Sequence, residues 1–139
     1  MGVVFEAGVR NRVYARSYFL IVLLLLAAPL NALAHARMVR SSPTPGDVAQ
    51  PPGKVELWFN EMLDGHFNSI EVFPAAQLNA RPRASLTHGD PKVDAVDRTH
   101  LSVMLKPMVP GDYFVEWRVL SLDGHSAPGR FEFHVAAPK

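Results

Sequence analysis

Apolar and polar residues alternate along most of the chain beyond residue 54. Val55, Leu57 and Phe59 fall on one side of an extended segment, with Glu56, Trp58 and Asn60 on the other. Ile70 and Val72 repeat the pattern, as do Leu101, Val103 and Leu105. Tyr113, Val115, Trp117 and Val119 form the longest run, and Phe131, Phe133 and Val135 the last. No stretch keeps a helical period. Breakers separate the runs: Pro43-Thr44-Pro45-Gly46, Pro51-Pro52-Gly53, Pro107 with Pro110-Gly111-Asp112, and Asp123-Gly124 with Pro128-Gly129. Short strands with turn signals between them predict an antiparallel sandwich or barrel. The alternating apolar sets then face one another as its core. Burying each large side chain contributes roughly 1.5–3 kcal/mol against the ordering entropy of the chain. The interval from Asn79 to Thr99, rich in Arg, Pro, His and Asp, reads as a long loop with at most one short strand.

The first 34 residues follow a different pattern. Arg10, Arg12 and Arg16 precede an apolar run from Tyr18 to Ala28, and Ala32-Leu33-Ala34 has the small-x-small form of a leader-peptidase site. The run is about 11 residues, short of the roughly 20 that span a bilayer. A retained anchor is the alternative, which the small residues at the cut disfavour. The expectation is a signal peptide over residues 1–34 and one domain over residues 35–139, exported to the periplasm. Cleavage after Ala34 makes His35 the N-terminus. A free amine and an imidazole on one residue can then chelate one metal ion. Both nitrogens compete with protons, the amine with an ordinary pKa of about 7.7–8.0, so affinity is expected to fall with pH.

Charge narrows the partners. The chain carries 14 Lys and Arg against 13 Asp and Glu. Without the leader's Arg10, Arg12, Arg16 and Glu6, the remainder has 11 basic and 12 acidic side chains. A near-neutral domain argues against nucleic acid or anionic lipid as partners. With no Cys, export brings no disulfides, and thiolate metal sites and thiol catalysis are excluded.

Asp123 and His125 stand two apart after the longest strand. In an extended segment they lie on one side, where a carboxylate and an imidazole can grip one cation. A plain turn, with Asp123 bonding its own backbone and His125 exposed, explains the same residues. A second Asp-Gly-His occurs at Asp64-Gly65-His66, so spacing alone does not choose between them.

Four blocks, in order, resemble the CopC family of periplasmic copper-binding proteins. The stretch from His35 through Ser41-Ser42-Pro43 to Gly46 is similar to the family's opening. Val55-Glu56-Leu57-Trp58-Phe59-Asn60-Glu61 resembles its strand ending in Phe-x-Glu. The stretch from Pro110-Gly111-Asp112-Tyr113 through Trp117-Arg118-Val119 to Asp123-Gly124-His125 resembles its most diagnostic segment. Gly129-Arg130-Phe131-Glu132-Phe133-His134-Val135 resembles its closing strand. The resemblance spans residues 35–139.

It implies an all-β fold, an Ig-like Greek-key sandwich or barrel of about seven strands, binding one Cu(II). The ligands it implies are His35 by amine and imidazole, His125 by imidazole, and Asp123 by a carboxylate oxygen. Nitrogen-rich tetragonal coordination suits Cu(II), with nickel and zinc weaker candidates. Glu61 becomes a candidate acceptor for a ligand imidazole's second nitrogen, or else a solvated carboxylate. The role implied is copper homeostasis or resistance without catalysis, by a soluble monomer handing copper to an inner-membrane transporter of the CopD type.

Some family members add a Met-rich loop for Cu(I). Here Met38, Met62, Met104 and Met108 are scattered, so no dedicated Cu(I) site is expected. His66, His88, Asp90, His100 and His134 are expected at the surface. Two other readings remain. One is a copper-dependent oxidative enzyme with a histidine brace; small size and a carboxylate in an equatorial position argue against it. The other is a metal-free Ig-like interaction module, which needs neither His35 nor the Asp123–His125 pair.

Overall fold

Every apolar set read from the alternation becomes the inward face of a strand. The structure, a computed structural model, describes residues 36–137. Its strands are β1 (Met38–Ser42), β2 (Val48–Ala49), β3 (Lys54–Phe59), β4 (Ser69–Pro74), β5 (Thr87–Val93), β6 (His100–Leu105), β7 (Gly111–Leu120) and β8 (Ser126–Val135). They form two four-stranded sheets, ordered β1-β3-β6-β5 and β2-β8-β7-β4. Pairing is antiparallel except between β2 and β8. The all-β sandwich expected from the sequence is present, with eight strands rather than about seven.

The core lies between the sheets. Val55, Leu57, Leu101 and Val103 face Val72, Val115, Val119, Phe133 and Val135, all nearly or fully buried. Trp117 fills the middle, 6.4 Å edge-on to Phe59 and 5.9 Å from Phe131. Ala36 and Leu63, both outside the strands, are buried in the same cluster. They close one end of it.

Three local features differ from the sequence pattern. Pro128-Gly129, which reads as a breaker, lies inside β8 opposite Arg118 and Trp117. Proline is tolerated because β2 covers only the far end of β8, at His134 and Val135. Gly129 is there for space: an added Cβ would overlap the Trp117 indole. The interval from Asn79 to Thr99 does contain one strand, the seven-residue β5. It is an edge strand exposed along most of its length, with a register shift between His88 and Lys92, so it carries no alternation. His100 is not at the surface. Its side chain is 17% exposed, and its ring stacks on Trp58 at 4.4 Å and 4°. Arg40 covers the Trp58 ring too, 3.6 Å from its centroid. The register Arg40–Trp58–His100 across β1, β3 and β6 assembles this stack. His134 is half-exposed, as expected, with Nδ1 2.7 Å from Asp112 Oδ1.

Gly129→Ala is expected to lower stability by about 1–3 kcal/mol, the usual cost of overpacking. Urea unfolding followed by Trp fluorescence measures it. An unchanged midpoint would mean the indole moves aside freely.

Candidate metal centre

Asp123 and His125 sit in the turn that joins β7 to β8. The turn is closed by Ser121 N–H donating to the His125 carbonyl (3.0 Å) and Gly124 N–H donating to the Ser121 carbonyl (2.9 Å). Gly124 occupies the left-handed region at φ +87°, which a side chain would strain. Ser121 is buried, and its hydroxyl donates to Asp123 Oδ1. His125 N–H donates to the same oxygen (3.2 Å). Asp123 Oδ2 is left facing the imidazole, 2.9 Å from His125 Nδ1. Both side chains remain about half-exposed.

One carboxylate oxygen is thus held by the protein and the other meets the imidazole. The Asp123 carboxyl is held down at about 2, against an ordinary 3.8, first by the Ser121 hydroxyl and then by His125. Its folded value lies below its unfolded one. The stabilisation is therefore present above pH 3.8 and is lost as pH falls toward about 2. The anion is intact at every pH where imidazole binds metals. The 2.9 Å between Nδ1 and Oδ2 is an ordinary hydrogen-bond distance, and it keeps the carboxylate and the imidazole side by side at the surface.

The described N-terminal residues arrive at this same end. Arg37 N–H donates to Asn60 Oδ1 (2.5 Å), and Asn60 N–H donates to the Arg37 carbonyl (3.0 Å). Ala36 is buried beside them. Asn60, Glu61, Met62, Thr99, Ser121, Leu122 and Asp123 line one open recess of about 420 Å³. His35, the third residue expected at the site, lies outside the described residues. Among the described residues, no three His, Asp or Glu side chains gather as a metal cage. Asp123 and His125 form a pair, and Glu61 lines the recess without making a triad.

The second Asp-Gly-His lies close by. Leu63 bridges to Ser121, and Asp64 N–H donates to the Leu120 carbonyl (2.8 Å). Asp64 Oδ1 accepts from His66 N–H (2.8 Å), as a turn carboxylate does. The His66 ring packs edge-on to Phe67 rather than against its aspartate. His66, His88 and Asp90 are exposed, as expected. The sequence reading missed Ser121 and Asn60. A Ser two residues before the Asp of a turn was the available signal for the first. Nothing local marks Asn60, whose partner is 23 residues away.

Ser121→Ala is expected to raise the Asp123 pKa from about 2 toward 3.8. Carboxyl carbon NMR titration reads this directly, and an unmoved titration would remove Ser121 as the cause.

Known proteins resemble the chain over this whole region. Copper resistance protein C of Pseudomonas syringae pv. tomato is 32% identical over 110 residues, covering 75% of this chain and 82% of that protein. Copper transport protein CutJ of Bacillus subtilis is 30% identical over 123 residues. That match covers 86% of this chain but only 21% of CutJ, so the chain spans about a fifth of that relative's length. The crystal structure of CopC from Methylosinus trichosporium OB3b superposes with a TM-score of 0.63 at 29% identity, covering 73% of this chain and 93% of that one. The family model for the CopC domain matches residues 38–136, and the chain belongs to the CopC family.

Proposed function

We propose that the chain is a periplasmic copper-binding protein that holds one Cu(II) through His35, Asp123 and His125. The observation that carries this reading is the Asp123–His125 pair, poised 2.9 Å apart at the end of the sandwich where Ala36 and Arg37 are fastened. Cleavage after Ala34 would free the amine of His35, whose side chain is the second imidazole. On this reading Asp123 Oδ2 and the His125 imidazole would be the groups offered to the ion, while Oδ1 stays on Ser121 and the turn backbone. Glu61, in the same recess, is the candidate acceptor for a ligand imidazole.

The names of the relatives support a carrier rather than an enzyme, since they are copper resistance and copper transport proteins. A carboxylate ligand would argue the same way, because it would fill a position that oxygen chemistry needs open. A domain like this one makes up about a fifth of a chain named for copper transport. Delivery of copper by a soluble monomer to an inner-membrane transporter is the finer part of this proposal.

The exported product is expected to begin at His35 by mass spectrometry and to bind one Cu(II) with a type-2 EPR signal. Adding a Met before His35, or making His125→Ala, should weaken binding about tenfold or more. A Met-extended form that binds equally well would end the chelate reading. Affinity should fall between pH 8 and pH 5 as the nitrogen ligands take up protons. Asp123→Asn should weaken binding by the same factor at both pH values, because this carboxyl is held at about 2. A factor that shrinks at pH 5 would show the carboxylate itself being protonated.

A further inference from the structure

We infer that the end of the sandwich carrying Asp123 and His125 is a docking surface for a second protein, one whose contact face is apolar and ringed by Lys and Arg. The inference rests on the proposed function, which puts copper at this end, and gives the surface chemistry of the partner met there.

Among the described residues, eight large apolar side chains are left exposed. Met62, Phe67, Val96 and Leu122 stand on the loops of this one end, 54%, 83%, 96% and 48% exposed. Main-chain bonds join those loops. Leu122 N–H donates to the Met62 carbonyl (3.0 Å), and Leu63 N–H to the Arg98 carbonyl (2.9 Å). Residues 94–99 lead into His100, which pairs with Trp58 near the end of β3. Single apolar residues scattered over a surface need no explanation, whereas several gathered at one end mark an interaction site.

Phe67 is held outward by a fixed loop. The Asn68 side-chain amide donates to the carbonyls of Asp64 (2.7 Å) and His66 (3.1 Å), and its oxygen accepts from Leu120 N–H (3.0 Å). Phe67 itself sits at φ +62°, a conformation that bulky side chains rarely adopt. An aromatic ring held out in this way suits the apolar centre of an interface.

Charge selects the occupant. The same loops carry Glu61, Asp64, Asp94, Asp97 and Asp123. The cations on the loops here are Arg37 and Arg98, and the Arg98 guanidinium is turned in on the Leu63 carbonyl (2.8 Å). Arg40, on β1, is drawn over the Trp58 ring. A second copy of the chain would bring the same acidic face against itself, which like charges oppose. The anionic surface of a bilayer repels it as well. A partner protein with a basic rim complements it, the exposed apolar side chains forming the centre of the contact.

The test uses the full chain in the cells that make and export it. The photoreactive residue p-benzoylphenylalanine replaces Phe67 or Val96. Val109, exposed just ahead of β7 and so at the opposite end, is the control position. On illumination, the Phe67 and Val96 positions are expected to give an adduct with the same second protein, and the Val109 position none. Peptide mass spectrometry should place the crosslink on a segment with more Lys and Arg than Asp and Glu. Asp94→Asn combined with Asp97→Asn keeps the turn acceptors but removes both charges, and should lower the adduct yield severalfold. The inference is overturned by adducts alike at all three positions, by an adduct with a second copy or with lipid, or by none. A crosslinked segment without the basic excess, or a yield unmoved by the two Asn changes, overturns it too. None of these outcomes touches Cu(II) binding by the purified protein. An adduct formed by a chain that binds no Cu(II) instead removes the copper reading and leaves the docking surface standing.

Discussion

Trp117 lies across the ladder from a residue with no side chain, and the rest of the molecule depends on that pairing. The indole occupies the space that a Cβ on Gly129 would need. A slip of β8 by one residue would put Pro128 or Arg130 there and turn Phe131, Phe133 and Val135 to the wrong face. The register that follows runs to Leu120 opposite Ser126. It leaves Ser121 to His125 as the connecting turn. The position of the candidate ligands is thus a consequence of core packing several residues away.

The turn is built so that a charged group stands ready without being buried. Ser121 supplies a buried hydroxyl, and the His125 backbone a second donor, to one oxygen of Asp123. The carboxylate cannot rotate away without losing both. Its other oxygen and the imidazole remain half in solvent, where an ion can reach them. Preorganisation of this kind reduces the ordering that binding must impose. The same end of the sandwich gathers the start of the described chain through Asn60 and the Met62 segment through Leu63 and Leu122. Donors remote in sequence are brought to one recess by main-chain bonds rather than by a shared loop.

The inward strands were legible because one buried face forces a period of two, and Val55, Leu57, Val115 and Val119 obey it. β5 was not legible as a strand of its length, since an exposed edge has no face to encode. Pro128-Gly129 misled for the opposite reason. Both residues break strands in general, but an open edge tolerates the proline and a facing indole demands the glycine. His100 looked like a surface residue until its neighbours across β3 and β1 were known.

By itself the sequence determined the all-β class, the inward faces, the membership of the CopC family and the short set of residues that could hold a metal. These are local or patterned properties, carried by residues next to or two apart from one another. It held two Asp-Gly-His motifs with equal spacing, of which only the second lies in a block that resembles the family. The tertiary structure supplied the physical difference: one aspartate is anchored by a buried serine and faces its imidazole, and the other serves its own turn. That information lies in contacts between residues 60 to 64 and 120 to 123, which the folded ladder creates and no local pattern records.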